Sequence, residues 1–235
     1  MTEAGKQPLN RGRIVATAID VADREGLDSV SMRTLATRLD AGTMSLYNHV
    51  RNKDDLLDAM VEHVASEIEP PSSHANWKDG VRGIAISTRA ALRRHPWVVE
   101  IWSARVPGPN RWTLMEGVLR QLASAGLPED VTDLAFHAIL NHVLGHTRQE
   151  LAANTQTSSP DLSAMAEALD AEGFTRVSQH LRYHTGDHPT HDSFLFVLDL
   201  ILDGLDKQTT RSKPAERSTT PAANPNSSMP PAKPM

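Results

Sequence analysis

Apolar residues recur three and four apart along most of this chain, and two-residue alternation is almost absent, so the pattern predicts helices throughout. Ile14, Val15, Ala18, Ile19 and Ala22 form the first stripe, opened by Asn10 as a helix cap and closed near Gly26. Leu35, Ala36 and Leu39 form a second, short stripe behind Ser31, whose hydroxyl can accept from an amide that has no intrahelical partner. Asp40-Ala41-Gly42 ends that helix, because Asp tolerates turn geometry and Gly weakens a helix. The next helix, from about Thr43 to Val50, buries Leu46 and Val50 and leaves Thr43, Ser45, Tyr47 and His49 on its outer face. Asn52 and Asp55 have the spacing of a capping box and open a helix carrying Leu56, Leu57, Met60, Val61 and Val64.

Beyond Glu69-Pro70-Pro71-Ser72-Ser73, a helix-breaking stretch, the stripes resume. They predict a helix from Asn76 to Arg94 and another from Pro96 through Trp97, Val98, Ile101 and Trp102. A third, after Pro107-Gly108-Pro109, carries Trp112, Met115, Val118, Leu119 and Leu122 and ends at Gly126. A long helix from Pro128 to about Ala152 follows. Thr155 to Pro160 reads as a loop, Asp161 to Ala171 as a modest helix, and the stretch from Gly173 to Ser193 as irregular or briefly helical. Phe194 to Leu205 is the last strong stripe, and from Gln208 onward a Pro-, Ser- and Thr-rich composition predicts a disordered tail. The fold class is all-α. A flexible arm over residues 1–10 precedes a smaller helical unit at 11–69, a larger helical unit at 74–207 and the tail at 208–235.

Composition narrows the chemistry. The chain of 235 residues has no cysteine, which removes disulfides and thiolate metal sites. Nothing in it spans a bilayer or resembles a signal peptide, so no membrane partner is predicted and a cytoplasmic location is the default. G-x-S-x-G, a Walker loop and H-E-x-x-H are all missing, and no catalytic residue is assigned. The net charge is -5, and residues 1–68 hold eight Lys/Arg against eleven Asp/Glu. Phosphate attraction is local, however, and Arg33, Arg38, Arg51 and Lys53 can share one face while Asp20, Asp23, Asp58 and Glu62 point elsewhere. Lys6, Arg11 and Arg13 are available to an N-terminal arm.

Two short helices joined by a tight turn, then a capped third, is the layout of a helix-turn-helix, although an ordinary run of short helices has the same periodicity. The segment from Ile14 to Ile68, about a quarter of the chain, resembles the N-terminal domain of the TetR/AcrR family of bacterial transcriptional repressors. AIDVADREGLDSVSMRTLATRL, Leu46-Tyr47-Asn48-His49-Val50 and Asn52-Lys53-Asp54-Asp55-Leu56-Leu57 carry the likeness. It implies that Thr43, Met44 and Ser45 contact bases of double-stranded operator DNA. Tyr47, His49, Lys53 and Arg33 would then meet the backbone. Asp40 stands where the family usually has Gly, and Ala41 where it has a small β-branched residue.

The same resemblance implies a C-terminal domain that forms a homodimer and encloses a small effector whose binding releases DNA. The helices at about 128 to 151 and 191 to 206 are candidates for a four-helix interface, with Ala135, Ala138, Gly145 and Gly204 allowing close approach. For a small apolar or aromatic effector, the candidate lining is Trp97, Trp102, Trp112, Met115, His137, Asn141 and Phe174, in a chain with only ten aromatic residues. His180, His184, His188 and His191 invite a metal reading, but Gly186 and Pro189 interrupt their spacing. The wording of residues 46–58 is nearest to the tetracycline-repressor-like branch, where the drug binds as a magnesium chelate. Those ligand positions have no match here, so neither cofactor nor metal is predicted. A ligand-released repressor is the leading reading; the alternative is a non-regulatory small-molecule-binding or scaffolding helical protein.

Overall fold

The computed structural model describes residues 8–70, 76–155, 161–185 and 192–212. These form helices α1 (Arg11–Glu25), α2 (Met32–Leu39), α3 (Thr43–Tyr47), α4 (Lys53–Ser66), α5 (Trp77–Arg94), α6 (Trp97–Ile101), α7 (Pro109–Ser124), α8 (Glu129–Thr155), α9 (Leu162–Ala171), α10 (Thr175–Thr185) and α11 (Ser193–Ser212). No strand occurs among the described residues.

Side-chain caps set several of these starts. Asn10 accepts from the Arg13 amide at 2.9 Å, Ser31 from Thr34 at 3.1 Å, Asn52 from Asp55 at 2.8 Å and Asn76 from Asp79 at 3.0 Å. The inward stripes of α1, α2 and α4 then close a small core with Ile14, Leu35, Leu46, Leu56 and Met60 fully buried. The same core continues between α5, α7, α8 and α11, where Leu92, Leu122, Phe194, Leu198 and Leu202 are sealed from solvent. Ala135 belongs to this core and does not face a partner helix as the small-residue reading supposed.

Several sequence expectations change. The segment after Gly173 is a regular helix, α10, which packs against α9 as a hairpin. Helix α11 continues past Gln208 to Ser212; Lys78 of α5 holds it, donating to Asp203 and Asp206 at 2.9 Å each. The expected loop at 156–160 and the tail beyond Ser212 lie outside the described residues.

Arg11 is no part of a free arm. It donates to the His49 carbonyl at 3.0 Å and to both carboxylate oxygens of Asp55 at 2.8 and 3.0 Å, clamping the end of α3 to the start of α4. Asp55 also accepts from the Arg51 amide at 2.8 Å, so the return bond of the capping box reaches one residue beyond the cap. The Arg11 guanidinium, helped by Arg51 and opposed by desolvation, holds the Asp55 carboxyl well below the usual carboxylate range. Its folded value is depressed, so Asp55 stabilises fully above the unfolded range near ~4 and loses that contribution as pH falls further. Asp55→Asn is therefore expected to cost about 1–2 kcal/mol at neutral pH in thermal or urea melts, with the deficit shrinking below pH ~4.

Candidate functional site

The turn before α3 is built by the backbone. Asp40 adopts φ 49° and ψ 53°, and it is the only non-glycine residue with positive φ among those described. Its amide donates to the Thr37 carbonyl at 3.3 Å, and the Ala41 amide to that of Ala36 at 3.0 Å. This pair of bonds is a Schellman ending, usually served by Gly, and here Asp carries the left-handed position. Gly42, in extended conformation, then precedes α3 as its N-cap. That helix is one turn shorter than the periodicity predicts, yet the His49 and Val50 amides still bond to the Leu46 carbonyl at 2.9 and 3.0 Å, and Val50 stays buried.

Anchored by Leu46 and Val50, α3 turns its other side outward. Met44 is 76% exposed and Tyr47 43%, with Thr43 and Ser45 also exposed and His49 half-buried. Arg33 near the start of α2 and Lys53 at the first position of α4 are exposed as well. Of the seven expected contact residues, Thr43, Met44, Ser45 and Tyr47 lie on α3, Arg33 and Lys53 at the starts of the flanking helices, and His49 in the turn between α3 and α4. Arg38 departs from expectation: it pairs with Glu25 of α1. The nearby acids are engaged by the scaffold, Asp54 with Arg105 at 2.7 Å and Asp55 with Arg11. Asp20, Asp23, Asp58 and Glu62 bond to α1 or to elements beyond α4.

A second site is a cavity of about 380 Å³ between α5, the α6–α7 connection, α7 and α8. Of the residues read as effector lining, Trp102, Met115, His137 and Asn141 meet there. Three do not. Trp97 is buried and donates from its indole Nε1 to Asp23 at 2.7 Å, which ties α6 to α1 and puts it beside a separate open cleft. Trp112 and Phe174 are 57% and 53% exposed, away from the cavity. Thr88, Arg105, Arg111 and Leu140 also line it and were not anticipated. One signal was available: Arg111 shares a helical face with Met115, Val118 and Leu122, and a charge on an apolar stripe marks a special position.

Arg111 is 7% exposed, donates to the Trp102 and Arg105 carbonyls at 2.7 and 2.9 Å, and stacks on the Trp102 ring at 4.7 Å. Burial pushes its guanidinium down from the ordinary value, with Glu62 and Asp58 opposing. The same connection grips α4. Glu62 accepts from the Gly108 and Asn110 amides at 2.9 and 2.8 Å, while Arg105 binds Asp54. The cavity wall and the start of α4 are thus joined by one short segment, residues 102–111.

Of the four histidines at 180–191, His180 lies on α10, while the His184 side chain, His188 and His191 fall outside the described residues. Among the described residues no group of three or more His, Cys, Asp or Glu is arranged to hold a metal, and no helix is long and apolar enough to cross a membrane.

Comparison with known proteins agrees with this architecture. The family model described as "Bacterial regulatory proteins, tetR family" matches residues 14–60, and "Tetracyclin repressor-like, C-terminal domain" matches residues 69–209. The chain is 35% identical over 213 residues to the HTH-type transcriptional repressor DrrR1 of Streptomyces coeruleorubidus, covering 86% of this chain and 78% of the relative. Ligand-free ActR of Streptomyces coelicolor superposes with a TM-score of 0.75 at 31% identity, over 87% of this chain and 98% of ActR. ActR in complex with actinorhodin gives 0.72, again at 31% identity, over 86% of this chain and 99% of that one. An outward-facing α3 on a buried anchor, joined to a helical domain that both comparisons match along its length, places the chain in the TetR family of DNA-binding transcriptional regulators, which are not enzymes.

Proposed function

We propose that the protein is a cytoplasmic homodimeric repressor that leaves its operator when a small apolar or aromatic molecule enters the cavity beside α7. The observation that carries this reading is the segment from Trp102 to Arg111, which lines the cavity at one end and holds Asp54 and Glu62 of α4 at the other. A ligand that displaces this segment moves the start of α4, and with it Lys53 and the adjoining α3. Two α3 helices must sit about 34 Å apart to enter successive major grooves, so a small rotation of each head changes the fit. ActR was crystallised in complex with actinorhodin, so a structural relative of this chain takes a ligand.

Dimerisation rests on a different observation. Leu134 and Ala138 on α8, and Phe196 and Leu200 on α11, are exposed at helical spacing. Gly145 and Gly204 continue those stripes with ordinary helical backbone, and a side chain at either would meet nothing within 4 Å of its own protomer. Packing within the protomer does not require these glycines, whereas close approach of a second copy does.

Release by ligand must be reciprocal. Any compound that lowers operator affinity is expected to lose its own affinity by the same factor, roughly 5–150-fold, when operator is bound. Titration of intrinsic tryptophan fluorescence with and without operator reads this directly. Ligand affinity unchanged by operator contradicts the release mechanism.

A further inference from the structure

The cavity is electrostatically one-sided. Its lining includes Arg105 and Arg111 and no carboxylate. The two arginines are not equivalent. Arg111 has backbone carbonyls of Trp102 and Arg105 on its terminal nitrogens and an indole under its plane. Arg105 reaches Asp54 with one terminal nitrogen at 2.7 Å, while its Nε is buried and has no acceptor in the protein. A buried N–H without an acceptor, on a residue that lines the cavity, is an unmet donor, and a guanidinium favours an anion.

We propose that the ligand of this cavity is an acidic aromatic compound, whose anionic oxygen accepts from Arg105 Nε and draws the guanidinium off Asp54. This deepens the effector reading above and rests on it. The consequence is specific to α4. Asp54 directly follows Lys53, the residue expected at the phosphate backbone, and its carboxylate pairs with Arg105 at 2.7 Å. Once Arg105 turns to the ligand, an exposed carboxylate without its ion-pair partner stands beside Lys53 at the DNA-facing end of α4. The ligand's charge then weakens operator binding independently of its bulk.

Two fluorescent probes with the same ring body separate charge from shape: 1-anilinonaphthalene-8-sulfonate and the uncharged N-phenyl-1-naphthylamine, each titrated into the full-length protein. Leu140→Trp, which fills the cavity, is expected to block both. Arg105→Gln is expected to lower the ratio of anionic to neutral affinity roughly tenfold or more, and Arg105→Lys to lower it less, since it keeps the charge without Nε. Asp54→Asn, by removing the competitor, is expected to raise affinity for the sulfonate. If Leu140→Trp blocks both probes but neither Arg105 variant changes the ratio, the acidic-ligand inference is overturned and the cavity reading stands. If Leu140→Trp blocks neither probe, the cavity reading falls and this inference with it.

Discussion

Leu134→Asp combined with Leu200→Asp is expected to give a folded monomer whose operator affinity is roughly 10²–10⁴-fold below that of the parent. Both leucines are exposed in the protomer, so a charge there leaves the core untouched. In the proposed α8–α11 interface the same charge would be buried against its symmetry mate, where an unpaired carboxylate is strongly disfavoured. The loss in DNA binding follows from linkage: with two heads on one body, the second half-site is met at high effective concentration, and a monomer forfeits that advantage. The acidic surface strengthens the argument, because a chain of net charge -5 gains little from bulk attraction to phosphate. Sedimentation velocity reads the oligomeric state and circular dichroism the fold. A dimer that survives both substitutions would relocate the interface.

Two substitutions on α3 should separate positioning from reading. Tyr47→Ala is expected to weaken binding by about tenfold on every duplex tested, because a backbone contact carries no sequence information. Thr43→Ala is expected to alter preference at one base step, by about 1–3 kcal/mol, and to leave the other positions of the site unchanged. Both side chains are exposed while Leu46 beneath them is fully buried, so neither change should disturb the packing that holds the helix. A binding-site selection on each variant reports the two effects together. If neither variant shifts affinity or preference in a folded dimer, α3 is not the reading helix.

The DNA-binding unit was legible because its determinants are local. Asn10, Ser31 and Asn52 cap helices within three residues of themselves, and Leu46 and Val50 form a stripe that periodicity exposes. Arg11 shows the limit. It looks like a free basic residue of an arm, and its partner Asp55 is 44 positions away, beyond anything a window of sequence can reveal. Helix α10 reads in the sequence as irregular or briefly helical because Gly173, Gly186 and Pro189 interrupt the pattern, whereas the α9 hairpin supplies the packing. The end of α11 was cut short for a similar reason. Its last turns are held by Lys78 through Asp203 and Asp206, which carry no apolar signal.

The cavity was half legible. Tryptophan scarcity singled out three residues, yet composition says nothing about which way each one faces. Trp102 lines the cavity, Trp97 serves the junction between α1 and α6, and Trp112 lies on the surface. Arginine on an apolar stripe was the better indicator, because burying that charge has to be compensated by partners, and Arg111 finds them in the backbone of the α6–α7 connection.

Repressor function requires that the exposed side of α3 recognise a particular DNA sequence. Fluorescence anisotropy with the duplex upstream of the protein's own gene, set against a scrambled duplex of equal composition at about 0.15 M salt, measures this directly. Binding to the upstream duplex is expected to be about 10³-fold tighter or better. Equal affinity for the two duplexes would contradict it.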